Sequence, residues 1–286
     1  MKFDVIGRIN NMRLPDGKTA VLYSVYEAVS NAIHAINDRF GEDKASEKGK
    51  VDVEIRVDDA FEIDTISITD NGVGFTDDNL SSFETSDSRF KYQRGGKGVG
   101  RFIWIKLFET IKVDSIVARS GDHERVQFNF VPEQDESIAH KRVTPAPGHD
   151  IGTVISLSDM RSDQRGRIKP TSYLKDLALH FFPQYISGTL PQVTITYRGE
   201  VSSLNAFIKD QVDEPEERVF HVDFGNGPVE LKVNHLFVKA AISTGLRNAY
   251  LWRLYRLQTR WFIRLGCYRC HLWAVRRPSS TAMPRR

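Results

Sequence analysis

Cysteine is scarce: Cys267 and Cys270 are the only two in 286 residues. Neither has a partner pair elsewhere to complete a four-ligand zinc site, so the thiols point to a reducing compartment and to little else. Long apolar runs are missing too, because no stretch reaches the roughly 18 residues that a membrane helix needs. The opening MKFDVIGRINNMRLPDGK lacks the apolar core of a secretory signal. A cytoplasmic protein with no membrane partner is expected. Positive charge is short over most of the chain. Ten arginines and no Lys, Asp or Glu lie in residues 241–286, so the overall +3 leaves residues 1–240 at −7. An acidic body argues against a basic nucleic-acid groove in the main domain.

What is present is a strongly patterned first half. From Thr19 to Arg39 the apolar residues Val21, Val25, Ala28, Val29, Ala32, Ile33 and Ile36 recur at helical spacing. VDVEIRV at 51–57 and TISITD at 65–70 alternate apolar and polar residues, as strands of a half-buried sheet do, and DDAFEID joins them as a hairpin. Thr76 with Asp77 and Asp78 marks a helix start, and the polar, glycine-bearing stretch 85–98 reads as a loop. GRFIWIKLFET at 100–110 reads as a mostly buried helix. It is followed by strand-like IKVDSIV, RVQFNF and GTVISL, then by a helix over roughly 171–182. These elements predict an α+β fold, a two-layer α/β sandwich with helices on one face of a mixed sheet.

Four short segments carry candidate chemistry. On the first helix Glu27, Asn31, His34 and Asp38 form one polar stripe, which by itself could be a solvated face. Asp70-Asn71-Gly72-Val73-Gly74 places a carboxylate at a strand end, followed by alternate glycines where backbone passes close to a ligand; an ordinary Asn-Gly turn is the plain alternative. Gly95-Gly96-Lys97-Gly98-Val99-Gly100 opens a helix, where exposed backbone N–H groups and Lys97 could cradle phosphate, unless the segment is only a flexible linker. It lacks P-loop spacing, and no strand immediately precedes it as a dinucleotide fingerprint requires. Finally, Gly152-Thr153 enters the strand GTVISL.

In order and spacing these four segments resemble the GHKL superfamily of gyrase-type topoisomerases, heat-shock chaperones, histidine kinases, MutL mismatch-repair proteins and MORC proteins, over about residues 20–160. The resemblance implies a Bergerat-type ATP-binding fold, with Glu27 as catalytic base and Asn31 as magnesium ligand. It implies that Asp70 receives adenine with Gly72 and Gly74 beside it, that Gly96, Lys97, Gly98 and Gly100 contact phosphates, and that Thr153 helps hold the adenine-site carboxylate. Asn31 offers a hard amide oxygen suited to Mg2+. Many members have Asp where this chain has His34, which receives no role. Arg101, like Lys97, is either a phosphate partner or a solvated charge. The implied activity is slow Mg2+-dependent ATP hydrolysis that drives lid closure over about residues 76–98 and a nucleotide-dependent homodimer. The alternative is a kinase-like or non-hydrolysing nucleotide sensor acting with a protein or nucleic-acid partner.

The expected organisation is an ATP-binding domain over 1–190 and a partial, transducer-like second β-containing domain over 191–246. Residues 247–286 form an atypical tail holding three of the four Trp and both Cys. A nucleic-acid or anionic-surface tail, the end of the second domain, and translation out of frame all fit that tail. Abrupt loss of every Lys, Asp and Glu favours the last, which would leave the second domain truncated; a disordered tail is the other expectation.

Overall fold

The structure, a computed structural model, describes residues 7, 9, 11, 12, 14, 19–60, 62–84, 100–119, 121–131, 138–162, 164, 173–212, 216–223, 228–237, 261–264 and 271–276. In chain order the elements are α1 (Thr19–Phe40), α2 (Glu42–Lys48), β1 (Lys50–Val57), β2 (Ile63–Asp70), α3 (Asp77–Glu84), α4 (Arg101–Leu107), β3 (Phe108–Arg119), β4 (Asp122–Phe130), β5 (Ile138–Pro145) and β6 (Gly152–Met160). They continue as α5 (Tyr173–Ile186), β7 (Gln192–Tyr197), β8 (Glu200–Ser203), α6 (Leu204–Gln211), β9 (Glu216–Asp223), β10 (Pro228–Phe237), β11 (Trp261–Arg264) and β12 (His271–Arg276). The chain divides into two compact units, Met1–Asn205 and Ala206–Arg286.

The first unit is the expected α+β sandwich. Its eight-stranded sheet runs β5-β4-β3-β6-β2-β1-β7-β8, antiparallel except where β7 lies parallel to β1. Alternation puts Val51, Val53 and Ile55 of β1 on the buried face, with Ile66 and Ile68 of β2 and Ile111, Val113 and Val117 of β3. Helix α1 packs on β1 and β2 and against α4 and α5. All seven of its periodic apolar residues, Val21 to Ile36, are buried. At about 25 cal/mol per Å2 of apolar surface, this stripe rather than helix propensity holds α1 in place. Trp104, wholly buried on α4, donates its indole N–H to the Ser24 carbonyl of α1 at 3.0 Å, so the two helices are keyed to each other.

Three sequence expectations change. The helix expected over 100–110 ends at Leu107, and Phe108 already begins β3. A continuous apolar run has no period by which helix and strand can be told apart. The helix expected over 171–182 runs on through Pro183 to Ile186. The boundary placed near residue 190 meets a compact unit that extends to Asn205, with β7 completing the first sheet through its pairing with β1. The second unit contains a four-stranded sheet in the order β11-β12-β10-β9, to which the tail contributes β11 and β12. Among the described residues no helix is long and apolar enough to cross a membrane.

Candidate functional site

The polar stripe on α1 is not a solvated face. Glu27, Asn31 and His34 are half-buried, and only Asp38 at its far end is exposed. Asn31 Nδ2 donates to Glu27 Oε1 at 3.2 Å. A carboxylate can only accept, so the amide nitrogen must face it, which turns the Asn31 oxygen to the other side, the orientation a cation ligand needs. Gly100, at the start of α4, lies against the same carboxylate: a Cβ there would sit 1.9 Å from Glu27 Oε2. Any side chain at Gly100 would displace Glu27.

Asp70 ends β2 and is buried, at 9% exposure. Its Oδ1 accepts the Gly72 N–H at 2.7 Å. Burial pushes its carboxyl up from 3.8 to about 7, against the opposing pull of the Gly72 N–H and the positive charge of Arg39. Thr153, 5% exposed, is its register partner on β6. The two glycines after Asp70 have a structural reason that the sequence alone assigned to a ligand. A Cβ on Gly72 would lie 2.5 Å from the Ala35 Cβ of α1, and one on Gly74 would lie 2.4 Å from the Ile116 carbonyl of β3. Gly74 also has φ +79°, which L side chains rarely adopt. The segment is therefore pressed between the helix that carries Glu27 and the neighbouring strand.

Sequence reasoning missed Ser115. It is fully buried on β3, its Oγ accepts the Phe75 N–H at 2.9 Å and lies 3.0 Å from Thr153 Oγ1, and it donates to the Gly152 carbonyl at 3.1 Å. One hydroxyl thus joins the Asp70 segment to the Thr153 strand. No local pattern announces it, since a Ser inside an apolar strand becomes a hub only once β3 and β6 are paired. Truncating it strands a buried N–H, so Ser115→Ala is expected to cost about 1–3 kcal/mol in chemical denaturation. Arg101, expected as a phosphate partner or a solvated charge, is 7% exposed, with its guanidinium 5.1 Å from the centre of the Phe83 ring; it is not a solvated charge. Gly96, Lys97 and Gly98 lie outside the described residues.

Residues 18–135 match the family of histidine kinase-, DNA gyrase B- and HSP90-like ATPases. That likeness to a GHKL-type ATPase domain covers less than half of the chain. Within the matched span lie Glu27, Asn31, Asp70, Gly72, Gly74 and Gly100, whereas Thr153 falls beyond it but in the same sheet. No curated protein matches the chain. A solved structure described as the N-terminal domain of a DNA repair protein is similar at 14% identity and a TM-score of 0.45. That likeness covers 74% of this chain and 66% of the other.

Proposed function

We propose that the matched region is a GHKL-type ATPase domain that binds ATP with Mg2+ between α1 and the end of β2 and hydrolyses it slowly, and that turnover drives lid closure and dimerisation. The observation that carries the reading is the convergence of three elements. Helix α1 is their common neighbour: Gly100 of α4 lies against Glu27, which pairs with Asn31, and the Gly72 turn that follows the buried Asp70 of β2 lies against Ala35, one helical turn beyond Asn31.

The proposed roles follow from the atoms. Asp70, with one oxygen engaged by Gly72, offers a second oxygen to the adenine amino group, and Thr153 and Ser115 hold that end of the site. The residues present fit a magnesium ion: the Asn31 amide oxygen is a hard ligand, and substrate phosphates and water would complete the shell. When bound, the ion neutralises charge on the transferring phosphoryl group. Glu27, one helical turn from Asn31, orients or deprotonates the attacking water. Gly96, Lys97, Gly98 and Gly100 are assigned to the phosphates. Residues 206–246, the part of the 191–246 stretch that lies outside the first unit, are proposed as a partial transducer-like region that reports the nucleotide state.

Phosphate release with ATP tests the reading. Release is expected with Mg2+ and is expected to stop when EDTA removes the ion, while the adenine end of the site still supports weak nucleotide binding. Tight ATP binding without phosphate release, with or without added partner, would instead favour a non-hydrolysing sensor or a kinase.

A further inference from the structure

Arg39, near the C-terminal end of α1, spends both hydrogens of a single guanidinium nitrogen on backbone carbonyls from two different motifs. Nη1 donates to the Asn71 carbonyl at 2.7 Å and to the Ile151 carbonyl at 2.8 Å. Asn71 directly follows Asp70, and Ile151 directly precedes Gly152 and Thr153. The clamp therefore ties the strand end that bears Asp70 and the strand start that bears Thr153 to the helix that bears Glu27 and Asn31. Asn71 is braced from its other side as well, because its side chain accepts the Lys50 N–H at 2.7 Å and donates to the Lys48 carbonyl at 2.8 Å.

We propose that Arg39 is a positioning residue of the nucleotide site, holding the Asp70 and Thr153 segments in one register against α1 and supplying the positive charge that favours the acceptor form of Asp70. This rests on the ATP reading above. Two groups favour the ionised form of Asp70 against its burial, first the Gly72 N–H that it accepts and then, as the charged one of the two, Arg39. Its sheet neighbours are Val51 on β1 and Thr153 on β6, both uncharged, Ala35 faces it from α1 across Gly72, and Arg39 is the charged group that acts on it. Hydrogen bonds from a charged donor are also stronger than neutral ones, so the clamp resists opening. Arg39 touches neither the adenine nor the phosphates in this scheme; it acts through the backbone on either side of the groups that do.

The test is adenosine affinity as a function of pH, for wild type, Arg39→Met and Arg39→Lys. Adenosine carries no phosphate whose own titration would overlap. Wild type should bind more tightly as pH rises, with a midpoint near the Asp70 value of about 7. Arg39→Met should move the midpoint upward and weaken binding at neutral pH on the order of tenfold. Arg39→Lys keeps the charge but not the two-carbonyl fork, so its midpoint should stay with that of wild type while affinity falls several-fold. An unchanged midpoint in Arg39→Met, whatever happens to affinity, overturns the proposal. Should Arg39→Met not fold, Arg39→Lys decides: unaltered affinity, or a displaced midpoint, overturns it. Wild type that fails to bind adenosine and ATP at every pH defeats the ATP reading itself, an outcome distinct from normal wild-type binding with an indifferent Arg39 variant.

Discussion

Glu27→Gln is expected to lower phosphate release from ATP by about 10^2- to 10^4-fold while leaving ATP affinity within a few-fold of wild type. The substitution is chosen because it keeps what is structural about Glu27. A glutamine oxygen still accepts from Asn31 Nδ2, as Glu27 Oε1 does at 3.2 Å, and a side chain of the same size still fits against Gly100. What it removes is the charge and basicity that the water needs. Glu27→Ala should show the same loss of turnover, with an added effect on Asn31, whose amide nitrogen loses that acceptor. A fall in turnover at unchanged affinity would place the lost interaction in the transition state rather than in binding. Equal losses in affinity and turnover would assign Glu27 to ground-state binding instead.

Asp70→Asn is expected to make the nucleotide-free protein more stable and the nucleotide site almost useless. Asp70 titrates near 7 in the folded chain against an ordinary 3.8, and burial is the main cause. Folding therefore favours the protonated form. The favourable contribution is complete below about 3.8 and is lost as pH rises through about 7, above which the folded state carries the full penalty, on the order of 4 kcal/mol. Asparagine removes the penalty. The stability difference between Asp70→Asn and wild type should thus be small near pH 3, widen with pH and level off above about 7, as read from urea denaturation of both proteins at each pH. A difference that does not vary with pH would mean that Asp70 is not held in the buried environment described. Binding should move the other way. An amide has one oxygen for two donors, the Gly72 N–H and the adenine amino group, so one of them must face another donor. ATP affinity should fall about 10^2-fold or more. Stability given up for a binding group in this way is a common sign of a functional position.

How much of this could be read in the sequence depended on how local each cause was. Helix α1 was legible because seven apolar residues at helical spacing have no other explanation, and every one of them is buried. The start of α3 was legible from Thr76, whose hydroxyl accepts the Asn79 N–H at 3.2 Å. The candidate residues were legible as motifs, but not their surroundings: the approach of Gly100 to Glu27 depends on α4 packing against α1, which Trp104 and Ser24 arrange from 80 positions apart. Arg39 was invisible. It served only to mark the end of the first helix, and its two-carbonyl clamp exists only once β6 pairs with β2 and brings Ile151 beside Asn71. The return of β7 to lie parallel to β1 was hidden for a similar reason, since strand order after a crossover helix leaves no local trace. Strand β5, mostly exposed, lacks the clean alternation that marks β1.

The most direct test of the nucleotide site is calorimetric titration of ATP and Mg2+ into wild type and Asp70→Ala. Wild type is predicted to bind one ATP per chain, and Asp70→Ala, with folding confirmed by its circular dichroism, is predicted to bind at least about 10^2-fold more weakly. Comparable affinity in the two proteins would contradict the assignment of this site as the place where ATP is held.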